Sequence, residues 1–434
     1  MPSLRTIGFI ALALALITLV NFYVHRRTTF VFALGRRGKV ALGVGLGLTV
    51  AVMVFTRVAE RWLGPAAAAA IGVTASAIEF SVLLSFALLM LVDLVRGLMA
   101  LARRARHRLH VARQRKRAPT EVLASAREDD AIAVDLSIEP AVAASLPPPF
   151  PALGGVARRE FLTRAVTGGA LALGGGTAVY GAFFGRHDYR VETVPVRIAG
   201  LPRTLDGFTI VQISDIHFGT YSRGDEVRVA SELIRRARPD LVVITGDMID
   251  HDDAFTPYLG QLIERVAGAA RHGVVAIPGN HDYYTGVANV LATARRAGAR
   301  VLVNEGRVIG DAGGGFALLG VDDLWMRREG GGPDLARAIA TVPRDLPRVL
   351  LCHNPAFFPE ASASVALQLS GHTHGGQVNV GAHLTEYVLP FGYVAGLYQR
   401  DDAALYVNRG FGTAGPPTRI GSPPEITRIV LVAA

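Results

Sequence analysis

The sequence has almost no cysteine and no internal repeat. Cys352 is the only cysteine among 434 residues, so no intrachain disulfide can form and the fold must be stable without one. This leaves the cellular compartment open, because many exported proteins also lack disulfides. The length allows two or three domains.

Charged residues are scarce in the first part of the chain, where apolar runs dominate instead. Hydrophobic residues make up 50% of the sequence and the mean hydropathy is +0.33, above the usual range of a water-soluble enzyme. An apolar run of about 20 residues crosses a bilayer as a helix, which predicts an N-terminal α-helical transmembrane region of about four spans. One acid, Glu79, lies inside the third run, and we assign no role to it. The runs are Thr6–Val24, Val40–Thr56, Ala66–Val92 and Ala165–Phe184.

The net charge of +9 is concentrated in the basic segment Arg96–Arg117. A net positive charge suits binding to nucleic acid or to anionic lipid. The neighbouring apolar runs favour the membrane over nucleic acid as the partner. Arginines flank both ends of the loop 96–164, which predicts that this loop is cytoplasmic and that the C-terminal part is extracytoplasmic. The stretch RREFL, Arg158–Leu162, resembles a twin-arginine export signal at an internal position. A plain positively charged flank explains it equally well.

The chain therefore divides into four predicted parts. Residues 1–95 are expected to form three transmembrane helices, and residues 96–164 a basic cytoplasmic loop with a proline-rich linker, SLPPPFP. Residues 165–188 are expected to form the fourth transmembrane helix. Residues 189–434 show the alternating strand and helix pattern of an α/β domain. We expect a multi-pass protein of the cytoplasmic (inner) membrane.

Polar residues follow five strand-like runs in the α/β part. Ligands gather beyond the carboxyl ends of strands in open α/β sheets, so we expect these polar residues to lie at one edge. Carboxylate, imidazole and amide oxygen ligands together suit two borderline divalent cations. Glycines around His372 and His374 allow both rings to reach one site. The runs are TIVQISDIH (Thr209–His217), LVVITGDMID (Leu241–Asp250), VVAIPGNHD (Val274–Asp282), RVLLCHNP (Arg348–Pro355) and VALQLSGHTH (Val365–His374).

The motifs DIH, GDMID, GNHD, a lone histidine after a strand, and GHTH occur in this order. The ordered set resembles the calcineurin-like metallophosphoesterase superfamily. The stretches GNHDYYTG, GHTHGGQV and YVNRGFGTAG…PPEI are similar to its membrane-associated bacterial branch. The resemblance covers residues 189–434 and implies a four-layer α/β/β/α sandwich.

The resemblance also implies the roles of individual residues. His281 would assist at the phosphate and protonate the leaving alkoxide, and Asp250 would orient it. His251 and Asp252 stand where the protein-phosphatase branch has arginine after this aspartate, which argues against protein phosphatase activity. Two divalent metal ions (Mn, Fe, Zn or Mg) are implied. The first would be held by Asp215, His217, Asp247 and His374, and the second by Asp247, Asn280, His353 and His372.

These features predict a membrane-anchored, metal-dependent phosphoesterase that hydrolyses a phosphate ester or pyrophosphate. The expected substrate is a phosphorylated small molecule or lipid, with a lipid or lipid-linked compound favoured because the domain begins directly after the fourth span. The segment Leu384–Tyr398 would then supply an apolar lip beside the metals. Two alternatives stay open, a cytoplasm-facing nucleotide phosphodiesterase and a non-catalytic metal-binding membrane sensor. Retention of every ligand position argues against the sensor. The oligomeric state and the choice between monoester and diester stay open.

Overall fold

The computed structural model describes residues 4–117, 158–311, 314–379 and 392–434. The chain between the second and third helices turns at Gly64, which has a φ of 75°, and the third helix begins at Pro65. Proline is well tolerated at the first helical position, because its missing N–H would have no intrahelical partner there. The N-terminal part forms four helices: α1 (Leu4–Val31), α2 (Arg36–Leu63), α3 (Pro65–Arg117) and α4 (Arg158–Phe183).

The third helix is longer than the apolar run that predicts it. α3 has 53 residues and continues through the basic segment to Arg117, so the expected boundary at residue 95 is not a break in secondary structure. The basic segment is rich in arginine, leucine and alanine, which are strong helix formers. At 1.5 Å per residue the helix is about 80 Å long. The proline-rich linker lies outside the described residues.

One helical segment in the described part of the chain, Pro65–Arg113, is long and apolar enough to cross a membrane by length and composition. By this measure the expectation of about four spans is not supported. For α4 the reason lies in its composition, since six of its 26 residues are glycine, which adds length without adding hydropathy. The four long helices are present, but their lengths alone do not make them membrane spans.

Two six-stranded mixed sheets form the centre of the described C-terminal domain. In the first sheet β1 and β12 are parallel, β12 and β2 are antiparallel, and β2, β3, β4 and β5 are parallel. The C-terminal strand thus lies between the first two strands of the domain. The order across this sheet is β1 (Arg190–Ile198), β12 (Glu425–Ala433), β2 (Thr209–Ile213), β3 (Leu241–Thr245), β4 (Val274–Ile277) and β5 (Ala299–Val301).

The second sheet has a parallel centre and an antiparallel strand at each edge. Strands β11, β9, β8 and β7 are parallel, whereas β10 and β6 are antiparallel to their neighbours. The order is β10 (Gly396–Arg400), β11 (Ala403–Val407), β9 (Leu367–Ser370), β8 (Arg348–Leu351), β7 (Gly314–Gly320) and β6 (Glu305–Asp311).

Three apolar cores hold the layers together. One core lies between the two sheets and includes Val243 and Leu351. A second joins the first sheet to α5, α6 and α8, and a third joins the second sheet to α9 and the segment that leads into α10. This is the α/β/β/α arrangement that the resemblance implies. The helices are α5 (Gly224–Arg236), α6 (Thr256–Ala267), α7 (Asn280–Thr285), α8 (Val287–Arg296), α9 (Leu335–Ala340) and α10 (Phe358–Ala361).

The central strands end level with one another, and this positions the site. β2, β3 and β4 are buried along their whole length, as expected for parallel strands covered on both faces. Ile213 pairs with Ile244 and Thr245 with Ile277, while Leu351 pairs with Leu369 in the second sheet. The polar turns that follow these strands are therefore brought to one edge of the sandwich.

Candidate active site

Six of the seven predicted metal ligands, together with His281, form three groups whose nitrogen and oxygen atoms lie within 4.8 Å of one another. Asp247 belongs to two of these groups, and so does His217. The seventh predicted ligand, Asn280, is the first residue of α7, directly after the turn that ends β4. The groups are Asp215, His217 and His374; His217, Asp247 and His281; and Asp247, His353 and His372.

Five predicted ligands have a left-handed backbone conformation, which is uncommon for residues other than glycine. The turns are held by backbone hydrogen bonds between neighbouring strand ends: the Asp215 N–H donates to Gly246 at 3.0 Å and the His217 N–H donates to Asp247 at 3.1 Å. Such strained residues cluster at functional sites. The φ angles are 50° for Asp215, 48° for His217, 49° for Asp247, 73° for His372 and 52° for His374.

The first group is compact and almost wholly buried. The Nε2 atoms of His217 and His374 are 3.1 Å apart. His374 Nε2 lies 3.5 Å from Asp215 Oδ1, and His217 Nε2 lies 3.6 Å from Asp247 Oδ2. The Nδ1 atom of His217 points away from these groups and lies 3.7 Å from Oδ1 of Asp250. Two imidazole and two carboxylate groups thus converge on one point.

The second group lies on the other side of Asp247. His353 Nε2 is 3.3 Å from Asp247 Oδ2 and 3.3 Å from His372 Nδ1. Asn280 is only 4% exposed, yet its Oδ1 has no hydrogen-bond partner among the described residues. A buried amide oxygen without a partner is costly unless it binds an ion or water. The donor set therefore fits a second cation that shares Asp247 with the first.

The charges and burial of the protein groups alone favour the metal-binding protonation state at three of these residues and oppose it at the other three. The favoured residues are His372, His374 and Asp247, and the opposed residues are Asp215, His217 and His353, whose pKa values are raised. Burial is the largest effect on His372 and lowers its pKa to about 3, and burial also holds the pKa of His374 well below its ordinary value. Burial raises the pKa of Asp215. At Asp247 burial acts in the same direction, but the neighbouring imidazoles, His353 above all, outweigh it and hold the pKa well below the ordinary value. Neutral imidazole and ionised carboxylate are the forms that coordinate metal ions.

His281 lies beside the first group, with its ring centroid 4.7 Å from that of His217 and its side chain 27% exposed. Its Nδ1 contacts the backbone carbonyl oxygen of Asp250 at 3.0 Å. The Asp250 carboxylate is 3.7 Å from this Nδ1 and 3.0 Å from Nδ1 of His251. The predicted contact between Asp250 and His281 is therefore made chiefly by the main chain, and the Asp250 carboxylate contacts His251.

Two buried residues support the ligands without having been singled out as site residues in the sequence. The Asp282 carboxylate accepts hydrogen bonds from the backbone N–H groups of Met248, Ile249 and Gly279, at 2.9, 3.1 and 2.9 Å. It therefore ties the turn after Asp247 to the turn before Asn280. Burial, with a further contribution from the Asp247 charge, raises its pKa to about 7. The only sequence signal was its place at the end of the GNHD motif.

Arg419 is the second of these residues and is 1% exposed. Its guanidinium lies 3.1 Å from Nδ1 of His374 and donates to the carbonyl oxygens of Arg409, Gly410 and Gly412. Its own backbone N–H donates to Gly181 of α4 at 3.0 Å. No local pattern marks this residue, because it is 45 positions from His374 in the sequence.

The expected apolar lip, Leu384–Tyr398, is only partly described. Residues 384–391, with Leu389 and Phe391, lie outside the described residues. Tyr393 packs against Phe358 and Tyr398 in a small apolar cluster, whereas Leu397 is exposed. The described part of this segment therefore contributes more to packing than to an open surface.

The sequence has clear relatives. The profile of the calcineurin-like phosphoesterase family matches residues 208–376. The metallophosphoesterase YkuE of Bacillus subtilis is 34% identical over 286 residues, which cover 64% of this chain and 98% of that protein. A metallophosphoesterase of Aquifex aeolicus is 33% identical over 245 residues, which cover 56% of this chain and 91% of that protein.

A membrane protein is also among the relatives. A transmembrane protein with a metallophosphoesterase domain from Bos taurus is 35% identical over 266 residues, which cover 56% of this chain and 57% of that protein. The match to YkuE extends over almost all of that protein, and the ligand groups of this chain lie within the residues that the family profile matches. The chain therefore belongs to the calcineurin-like phosphoesterase family and is a metal-dependent phosphoester hydrolase.

Proposed function

We propose that this protein is a membrane-anchored phosphoesterase that hydrolyses a phosphate ester at a dinuclear metal centre. The observation that carries the proposal is the pair of ligand groups that meet at Asp247, one containing His217 and the other His353 and His372. Two divalent cations held by these groups would lower the pKa of a bound water and neutralise the charge of the phosphate. Imidazole, carboxylate and amide ligands together suit Mn, Fe, Zn or Mg.

Each side chain then has a definite role. Asp215, His217, Asp247 and His374 would hold the first cation, and Asp247, Asn280, His353 and His372 would hold the second. The oxygen of Asn280 supports this distribution, because it is a buried polar atom without a hydrogen-bond partner among the described residues. The Nδ1 atom of His217 faces the Asp250 carboxylate at 3.7 Å, which leaves Nε2 for the cation. Among the described residues, Asp247 is the carboxylate that groups both with His217 and with His353 and His372, which supports a role as the shared ligand.

His281 is placed to transfer a proton. Its Nδ1 donates to the Asp250 carbonyl oxygen, which leaves Nε2 free to carry the proton that a leaving group needs. As the oxygen of water bonds to phosphorus and the ester P–O bond breaks, the leaving oxygen would accept this proton. The ring is partly exposed, so a substrate can reach it.

Membrane anchoring is supported by the outer surface of the helical region. Large apolar side chains are exposed along all four helices, including Leu16, Leu48, Leu83 and Leu173. Extensive apolar surface of this kind marks a membrane or protein interface. We propose that α3 crosses the membrane with its arginine-rich end on the cytoplasmic side, that α1 and α2 lie in the membrane beside it, and that α4 crosses back to the other side. The catalytic domain then lies on the extracytoplasmic side.

The substrate proposal rests on how the catalytic domain meets the helices. Thr220, close after the ligand His217, donates to Glu60 of α2 at 2.8 Å, and Arg223 forms an ion pair with the same carboxylate. α4 ends at Phe183 and β1 begins at Arg190, which leaves a short connection. A site held this close to the helices suits a phosphate that is itself near the bilayer. We therefore propose a phospholipid or a lipid-linked phosphate as the substrate.

The catalytic proposal is tested with the full-length protein in detergent micelles. Hydrolysis of a generic phosphate ester should require an added divalent metal. Asp247→Asn should lower the bound metal at both positions, whereas His281→Ala should retain the metal and slow turnover by about 10²–10⁴-fold. Full activity in a chelated, metal-free sample would contradict the dinuclear mechanism.

Membrane placement and substrate need separate measurements. A reporter fused after Ala434 should behave as exported, and a reporter inserted near Ser125 as cytoplasmic; an exported signal at Ser125 would refute the orientation. Turnover of a lipid phosphate in mixed micelles should exceed that of its water-soluble head group. Equal efficiency on the two compounds would contradict the lipid substrate while leaving the hydrolase itself intact.

A further inference from the structure

Two exposed aromatic residues stand at the edge of the ligand groups. Tyr284 is 58% exposed and its ring centroid is 5.4 Å from that of His281. Trp325 is 41% exposed and its ring centroid is 5.9 Å from that of His372. Single exposed aromatics are common on protein surfaces, but here each of two lies edge-on to an imidazole of the site. Both rings therefore lie at the edge of the candidate active site.

Both aromatic residues are on anchored elements. Tyr284 belongs to α7, which lies against the 3-10 helix Leu324–Glu329 that carries Trp325. The neighbouring Tyr283 hydroxyl donates to the Asp322 carboxylate, just before this 3-10 helix. Asp323 caps the same helix by accepting from the Trp325 N–H at 2.9 Å. The two rings are therefore held in place by their surroundings, as a preformed binding surface requires.

Arg328 completes this rim. Its guanidinium carbon is 5.6 Å from the centre of the Trp325 ring. Arg328 has no ion-pair partner in the described part of the chain. A guanidinium that rests on an aromatic face keeps its N–H edges available for an anion.

The preceding residue makes the contrast clear. Arg327 donates to both carboxylate oxygens of Glu360, at 2.9 and 2.7 Å, and its guanidinium lies over Phe357. Its charge is neutralised within the fold. Arg327 thus forms an ion pair within the fold, whereas the next residue, Arg328, lies against Trp325 at the rim of the site.

We propose that Tyr284, Trp325 and Arg328 form a subsite for the part of the substrate beyond the scissile phosphate, and that this part carries a second phosphate. The substrate class is then a diphosphate ester: one phosphate at the metal ligands, the other at Arg328, and the organic group against the aromatic rings. This inference rests on the proposed function, because it assumes that the reacting phosphate binds at Asp247. Guanidinium groups recognise phosphate through paired N–H donors, and aromatic rings bind apolar groups at low entropic cost.

The test compares octyl phosphate with octyl diphosphate, using the metal-loaded full-length protein in micelles. Arg328→Gln should lower kcat/KM for the diphosphate about tenfold, the effect of losing one charge-assisted contact, and change that for the monophosphate less than twofold. Arg327→Gln is the matched control and should leave the ratio of the two substrates unchanged. Trp325→Leu should weaken both substrates, because both carry the octyl chain. Metal content should be the same in all three variants.

Inhibition provides a readout that does not depend on turnover. Methylene diphosphonate should bind the metal-loaded protein more tightly than methylphosphonate, and Arg328→Gln should remove most of that difference. An equal effect of Arg328→Gln on both substrates, or none on either, would overturn the subsite. If no phosphate ester were hydrolysed but the diphosphonate preference persisted and depended on Arg328, the proposed function would fail while the subsite remained.

Discussion

Arg419→Met should destabilise the catalytic domain and weaken its first metal position. The guanidinium is fully buried and donates at 2.9 Å to Gly412, 2.7 Å to Arg409, 3.1 Å to Gly410 and 3.2 Å to Ser422, all through backbone carbonyl oxygens. The segment that it binds lies against the first ligand turn, because the Phe411 and Gly412 N–H groups donate to Ser214 and Asp215. Methionine has a similar length and no donor.

The loss of stability can be calculated from the carbonyl groups that stay buried after their donor is removed. Breaking a buried polar network by removing one partner costs about 3–5 kcal/mol, because the remaining groups stay buried without compensation. For a domain of this size each kcal/mol lowers Tm by about 2–4 °C, so we expect a decrease on the order of 10 °C. His374 also loses the contact at its Nδ1. Loss of such an outer contact lowers metal affinity by about 10–100-fold.

Two assays in detergent micelles check this prediction: thermal unfolding of the metal-free protein, and metal titration of the native protein. Arg428→Met is the matched control, since Arg428 is half-buried on β12 and donates to Ala237 and Thr209, far in the fold from the ligand turns. It should lower Tm modestly and leave metal affinity unchanged. If Arg419→Met bound both metals as tightly as the unaltered protein, the supporting role inferred for Arg419 would be refuted.

Three further predictions concern the site and its attachment. Gly371→Ala should remove the first metal and lower Tm, because an added Cβ would overlap Ser214 Oγ and the Asp215 carboxylate, whereas Gly268→Ala, with open space at its Cβ, should change neither metal content nor Tm. Burial raises the pKa of Asp282 from 3.8 to about 7, so its contribution to stability is present below pH 4 and is lost as pH rises through 7. Asp282→Asn should therefore make the free energy of unfolding of the metal-free protein less dependent on pH between pH 5 and 8. An unchanged pH dependence in chemical denaturation would contradict this. Glu60→Gln should increase amide hydrogen exchange in residues 218–223 by weakening the ion pair with Arg223, whereas Glu79→Gln, which alters a carboxylate bonded to Asn21 within the helices, should not.

Some features of this protein follow from short stretches of sequence. The strand-like runs before Asp215, Asp247, Asn280, His353 and His372 end where the structure ends β2, β3, β4, β8 and β9, to within two residues or three. Strand formation and the turn that follows depend on neighbouring residues, so a local pattern predicts them. The convergence of the polar turns followed from the rule that parallel strands end at one edge. Five of the predicted ligands have a left-handed backbone conformation, which shows that these turns are tight.

Tertiary structure alone decided the rest, because the interactions concerned join distant parts of the chain. β12 inserts between β1 and β2 although it is more than 200 residues away in sequence, and no local signal specifies that pairing. Arg419 contacts His374 because the loop between β11 and β12 packs against the turn that contains His374. Asp250 contacts His281 chiefly through its carbonyl oxygen, a detail set by backbone geometry and not by residue type. The sequence by itself determined which groups are available for metal chemistry. The fold determined which buried neighbours hold those groups in place, and it placed Arg328 at the rim of the active site without an ion-pair partner among the described residues.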